Sequence, residues 1–317
     1  MRLSPDYDFL LQSRAHGAYL GLAVGDALGA TVEFMTAREI AIELGTHKEI
    51  TGGGWLRLKA GNVTDDTTMS HALGHAIIEQ GKVEAEAVAD AFNCWLRGKP
   101  IDVGNTVRKG IVNYRLTGET KAPENYYDAG NGACMRSLPV ALATYGQDDE
   151  SVRQASRLQA HVTHNNEISD AGCECVISLV HSALDNQSKS EMIMSPIQKL
   201  IAKYPEYAFR GRHRDNPTAY IVETLQAVFQ AIFDSSSFED CLINIVNRGG
   251  DADTTGAIAG MIAGSLYGVE CIPERWLKVL NKDIKQTCVH QADALMNLAL
   301  SRNQKSNVGR VSKAYQK

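Results

Sequence analysis

Two packets of carboxylates and hydroxyls, far apart in the chain, carry the chemistry. Asn247-Arg248-Gly249-Gly250-Asp251-Ala252-Asp253-Thr254-Thr255-Gly256 sets two Asp and two Thr directly behind a Gly-Gly turn. Gly61-Asn62-Val63-Thr64-Asp65-Asp66-Thr67-Thr68 repeats the pattern just before a helical run. If the packets meet, four carboxylates share one pocket. At ~4 Å each like-charge pair costs about 4 kcal/mol in a partly shielded site, so the cluster needs protons or divalent cations to persist. Oxygen-only donors suit Mg²⁺ or Mn²⁺, and the absence of Cys and His from both packets argues against zinc. For one packet alone, Asp and Thr also read as ordinary helix caps.

The elements that must position these residues are helices. Gly17, Gly21, Gly25 and Gly29 fall on one stripe of a helical run from Leu11 to Leu28, and the spacing returns at Gly256, Gly260, Gly264 and Gly268. Each helical glycine costs roughly 0.8 to 1 kcal/mol relative to Ala. Close backbone contact is the compensating reason, so both helices are predicted at the centre, with at least one stripe against a neighbour. Met69–Gln80 continues the first acidic packet as a helix, and Val83–Leu96 is amphipathic and ends at Gly98 and Pro100. Further helical stretches are Val107–Leu116, Ser169–Leu184, Tyr220–Phe233, Phe238–Arg248 and Ile272–Leu300. No alternating β-branched run stands out, and no Pro-, Gly- or Ser-rich linker interrupts residues 10 to 300. The expected fold is all-α, one domain over 1–300, followed by a basic, disordered tail over 301–317.

Smaller features are less specific. Asp102 stands at a turn before a helix, the position of a cap. Gly130-Asn131-Gly132 precedes an apolar run and would offer backbone N–H groups to an anion at a helix N-terminus. His161 and His164 lack a third nitrogen or sulfur nearby and read as hydrogen-bonding or stacking residues. Residues 185–217 are polar and broken by prolines, with Arg210, Arg212, His213 and Arg214 as a basic patch.

A net charge of −5 gives no nucleic-acid footprint. Seven scattered cysteines fit a reducing compartment better than a disulfide framework. The N-terminus has no charged-then-apolar signal region, and a cytoplasmic protein is expected.

Together, Gly25-Asp26-Ala27-Leu28-Gly29 with Glu33, then Thr64-Asp65-Asp66-Thr67, then Asp251-Ala252-Asp253-Thr254-Thr255-Gly256-Ala257-Ile258-Ala259-Gly260 resemble the ADP-ribosylglycohydrolase family over about residues 12 to 300. Asp102-Val103-Gly104-Asn105, Gly130-Asn131-Gly132 and Thr163-His164-Asn165-Asn166 resemble the branch of that family that reactivates dinitrogenase reductase. The resemblance implies an all-α, orthogonally packed single-domain bundle with a central dinuclear metal site. It implies hydrolysis of the glycosidic bond that joins ADP-ribose to an arginine. Thr64, Asp65, Asp66, Asp251, Asp253 and Thr254 would hold two divalent cations, Mn²⁺ ahead of Mg²⁺, with Glu33 close by as ligand or catalytic carboxylate. Asp102 matches the acid–base position. Gly104, Asn105, Gly130, Asn131, Gly132, His164 and Tyr220 would line the ADP-ribose cleft.

The chemistry agrees with that set. Cleavage at an anomeric carbon builds positive charge on the ribose, which neighbouring carboxylates stabilise, and a guanidine leaves well only when protonated. The partners implied are an ADP-ribosylated protein, foremost the nitrogenase iron protein, and a PII-type signalling protein that sequesters the enzyme reversibly at the membrane; a monomer is the default expectation. Serine-linked ADP-ribose or O-acetyl-ADP-ribose is the alternative substrate. A non-catalytic ADP-ribose-binding relative and an unrelated two-metal phosphohydrolase are further alternatives.

Overall fold

The computed structural model describes the backbone of residues 5–314 and the side chains of residues 9–303. In chain order the helices are α1 (Pro5–Gly29), α2 (Ala37–Glu43), α3 (Asp65–Gln80), α4 (Ala85–Arg97), α5 (Asn105–Thr117), α6 (Leu138–Ala143), α7 (Asp149–Ala160) and α8 (Glu167–Leu184). They continue as α9 (Lys189–Met192), α10 (Gln198–Lys203), α11 (Ile221–Asp234), α12 (Phe238–Val246), α13 (Ala252–Tyr267), α14 (Glu274–Val279) and α15 (Lys282–Ala314). Among the described residues there is no strand, only three isolated bridges, so the all-α expectation holds.

The two glycine stripes face each other. A Cβ on Gly17, Gly21 or Gly25 would overlap the carbonyl oxygen of Gly264, Gly260 or Gly256, and one on Gly29 would overlap that of Ala252. Thus α1 and α13 run antiparallel with no side chain between their backbones, and α13 is buried from Ala252 to Ser265. Gly268, grouped with the second stripe in the sequence, instead caps the C-terminus of α13 at φ +83. Antiparallel contact sets the C-terminal end of α1 beside the N-terminal end of α13. Asp26 and the turn carrying Glu33 therefore meet Asp251 and Asp253.

The amphipathic helices close around this pair. α4 buries Val88, Ala89 and Phe92, and α8 buries most of its residues between Ser169 and Leu184. One buried apolar cluster runs from Leu11 to Ala299. No described helix is long and apolar enough to cross a membrane, and all seven cysteines are free thiols.

Several local expectations change. α2, with its Thr36/Glu39 capping box, and α7, capped by Asp148, form where the sequence reading placed no helix. The 185–217 stretch is folded as α9, a π-turn at Ile193–Ile197 enclosing Pro196, and α10. Three of the four residues of its basic patch are paired: Arg210 with Asp234, His213 with Asp215 and Arg214 with Glu223. The expected tail continues α15 in backbone to Ala314, and Arg302 donates to the carbonyls of Ala143 and Gly81. Residues 315–317 lie outside the described residues.

Gly260→Ala tests the central contact. In an ordinary helix this change gains up to about 1 kcal/mol. Here the added methyl must push two backbones apart, and a loss of about 3 kcal/mol in denaturant unfolding is expected. A more stable variant would contradict the backbone contact.

Candidate metal centre and active site

The first packet is placed by a residue from another helix. Thr64 stands at the N-cap of α3 yet makes no side-chain cap of its own. Asp26, at the end of α1 and 0% exposed, does the capping: its Oδ1 accepts the Thr64 N–H at 2.9 Å, and its Oδ2 accepts the Thr67 N–H at 3.0 Å and the Thr67 hydroxyl at 2.5 Å. A carboxylate at a helix N-terminus satisfies orphan N–H groups and suits the helix dipole. With the cap supplied from outside, Asp65 and Asp66 turn inward.

The second packet reaches them from α13. Asp66 Oδ2 accepts the Thr64 hydroxyl at 3.1 Å and the Thr254 hydroxyl at 3.3 Å, which joins residues 188 apart in sequence. Gly249 and Gly250, both at positive φ, turn the chain into Asp251. Gly250 also exchanges backbone bonds with the Glu33 turn: Phe34 N–H donates to the Gly250 carbonyl and Gly250 N–H to the Met35 carbonyl, each at 2.8 Å. Glu33, Asp251 and Asp253 bring carboxylate oxygens within 4.8 Å of one another. The tightest group is thus this triad, with Asp65, Asp66, Thr64 and Thr254 completing the wall.

Burial and mutual repulsion hold these acids to their protons. Burial, then repulsion from Asp102, raises Asp65 to about 7. Burial raises Glu33 to about 8 against a bond from the Trp55 indole N–H, with Asp251 adding repulsion. Asp66 and Asp253 are pushed well above the carboxylate range, first by burial and then by Asp26 and Asp66 respectively. Burial also raises Asp26, to about 6, although the Thr67 and Thr64 donors oppose it. Asp251 and half-buried Asp102 are raised by burial too.

A cation fits this donor set. Asp66 Oδ1 is fully buried with no hydrogen-bond partner, an arrangement that costs roughly 1–3 kcal/mol or more for a charged group unless something binds it. All donors are oxygens, as Mg²⁺ and Mn²⁺ prefer. A hollow of about 740 Å³ elsewhere, between α8 and the α10 segment, is lined by Arg157, Glu174, His181 and Lys199 among others and includes none of these acids. Donor chemistry, not volume, marks the site.

The expected cleft residues divide into two groups. Gly104 and Asn105 are exposed at the start of α5, with the Gly104 N–H on Asp65 Oδ2 at 3.3 Å. Asp102 accepts its neighbour Val103's N–H at 2.7 Å and acts on Asp65 and Glu33 as a nearby charge. Partly exposed Tyr220 is bridged through backbone to Gly130. Asn131 and His164 instead turn inward. The Asn131 amide donates to Asp251 Oδ2 at 2.6 Å and to Thr224 at 2.9 Å, so it orients an acid of the cluster. His164 is 3% exposed beneath Gly130 and Gly132, where an added Cβ would meet its ring at about 3 Å. Burial, then the charge of Arg136, lowers His164 to about 3, which keeps it neutral. Arg136 itself is fully buried, donates to Gln159 and Thr163, and stacks on Phe92. The Gly-Asn-Gly turn does not open a helix, because Leu138–Pro139 start α6 several residues later.

Asp26, Trp55 and Arg136 were not assigned a role from sequence. An Asp flanked by the glycines of a buried stripe is a signal that could have found the first; Trp55 and Arg136 carry none.

An all-α core wrapped around an oxygen-only acidic cluster whose carboxylates could hold a metal ion defines the class of the site. Residues 9–306 match the ADP-ribosylglycohydrolase family model. The chain belongs to the ADP-ribosylglycohydrolase family. It is 46% identical to the ADP-ribosyl-[dinitrogen reductase] glycohydrolase of Rhodospirillum rubrum, over 91% of this chain and 97% of that one. It is 33% identical to the ADP-ribosylarginine hydrolase Tri1 of Pseudomonas putida, over 84% and 73% of the two chains. Its fold superposes on a solved ADP-ribosylglycohydrolase-related protein complex with a TM-score of 0.82 at 31% identity, covering 91% of this chain and 99% of that one.

Two predictions follow from this geometry. Asp26→Ala strips three donors of a buried partner and should cost about 3 kcal/mol in thermal or denaturant unfolding. An unchanged midpoint would remove Asp26 from its capping role. In metal-free protein, acids with raised folded pKa bind protons more tightly folded than unfolded. Their stability contribution is whole below the unfolded values near 4 and is lost as pH climbs through about 6, 7 and 8 for Asp26, Asp65 and Glu33. Tm should therefore fall from pH 5 to 8.5, and Mn²⁺ should raise it most at the upper end.

Proposed function

We propose that this protein is a hydrolase that removes ADP-ribose from an ADP-ribosylated arginine of a protein, foremost the nitrogenase iron protein. The observation that supports this most is the 46% identity, across nearly the whole of both chains, to an enzyme named for dinitrogen reductase. The arginine linkage is further supported by the name of the 33% identical relative. Two divalent cations, Mn²⁺ by preference, would be held by Thr64, Asp65, Asp66, Asp251, Asp253 and Thr254, with Glu33 at their edge. When bound, they would orient the ribose hydroxyls and activate a water at neutral pH.

The chain's own residues divide the remaining work. Asp102, half-buried with a raised pKa, can carry the proton that the departing guanidine nitrogen needs as its bond to the anomeric carbon breaks. Gly104, through its N–H on Asp65, couples the α5 start to the cluster, and Asn131 holds Asp251 in place. Gly130, Gly132, Asn105 and Tyr220 would line the wall where ADP-ribose would lie. A PII-type regulator, a monomeric state and a cytoplasmic setting belong to the same reading as expectations from the sequence.

Purified protein should release ADP-ribose from arginine-ADP-ribosylated protein with Mn²⁺, lose that activity on chelation, and lose at least about a hundredfold in Asp251→Ala. No release from arginine, with release from serine- or ester-linked ADP-ribose, would replace the substrate.

A further inference from the structure

Phe34 and Trp55 stand at the edge of the acidic cluster, and neither the metal ligands nor the ADP-ribose contacts account for them. They are 65% and 53% exposed, with ring centroids 5.4 Å apart and planes tilted by 49°. Exposed apolar residues scattered singly are ordinary, whereas a contiguous patch at the rim of a site marks a place of interaction. Both are held in place from within the site. The Trp55 indole N–H donates to Glu33 Oε2 at 2.6 Å. Phe34 is fixed by its 2.8 Å bond to the carbonyl of Gly250, the residue before Asp251. Its φ is +64, a left-handed conformation that a bulky residue adopts only under constraint. Gly54 locks the Trp55 loop, since a Cβ there would overlap the Ala30 carbonyl oxygen.

We infer that Phe34 and Trp55 form a specificity shelf for the guanidinium of the substrate's modified arginine and the side chain that carries it. The inference rests on the arginine reading above. The shelf begins one hydrogen bond from Glu33, hence beside the carboxylates where the anomeric bond is cut. By that proximity to Glu33 it would meet what is attached at that carbon, with the adenine lying farther off across the diphosphate. A planar guanidinium is drawn to aromatic faces and stacks on them. A serine-linked substrate offers no such group. ADP-ribose alone has no cation for the shelf to hold.

Phe34→Gly tests this, because glycine tolerates the left-handed backbone and the variant should fold with an equal or higher Tm. Its KM for an ADP-ribosylarginine protein, and for free ADP-ribosylarginine, should rise about fivefold, while inhibition by ADP-ribose stays within about twofold. Trp55→Phe keeps an aromatic face but loses the bond to Glu33; KM should hold within about twofold while kcat falls. An unchanged KM in Phe34→Gly, with or without a lower Tm, would overturn the shelf, as would weaker ADP-ribose inhibition in step with KM. Wild-type protein that is inert on ADP-ribosylarginine would instead overturn the arginine reading, and the shelf with it.

Discussion

Two helices that touch backbone to backbone fix where every acid of the site stands. With glycine at each crossing, α1 and α13 approach closely enough that no side chain can intervene, so neither can slide or rotate without a clash. Register is thereby set to within a residue. At one end of this contact the chain leaves α1 through Asp26 and Glu33, and at the same end it enters α13 through Asp251 and Asp253. The α3 N-terminus is then hung on Asp26 by three hydrogen bonds, which carries Asp65 and Asp66 to the same place. Small residues in the core are here the means of positioning large charges at the rim.

That positioning works against folding. Six acids, Asp26, Glu33, Asp65, Asp66, Asp251 and Asp253, are buried in one region, and each close pair repels by several kcal/mol at the effective dielectric of a protein interior. Protons can relieve this at low pH, and cations at neutral pH, so the site trades stability for binding capacity. The orphaned Asp66 oxygen marks where the trade is sharpest. Buried Arg136 and neutral His164 brace the Gly130–Gly132 wall from behind, so the acids face a rigid partner.

The two packets and the glycine stripes were legible in the sequence because type and period suffice to read them. Asp-Asp between threonines is an unusual composition, and a four-residue glycine spacing has one helical meaning. The capping of α3 by Asp26 was not legible, since it depends on which helix arrives beside the terminus. Asn131 and His164 read as cleft lining, and a sequence does not say which way a polar side chain turns; here the Asn131 amide donates to Asp251 and the His164 ring bonds to Thr163. α2 escaped because seven residues hold too few turns to show a period. Trp55 directly follows Gly52-Gly53-Gly54, and only its bond to Glu33 reveals its place.

The central claim is that these acids share their pocket because cations replace their protons. Calorimetric titration of the metal-free protein with Mn²⁺ at pH 7.5, repeated in buffers of different ionisation enthalpy, measures both ion count and proton release. The account predicts two ions bound per chain with a net release of protons that shrinks as pH rises. Binding without proton release, or no saturable binding, would contradict it.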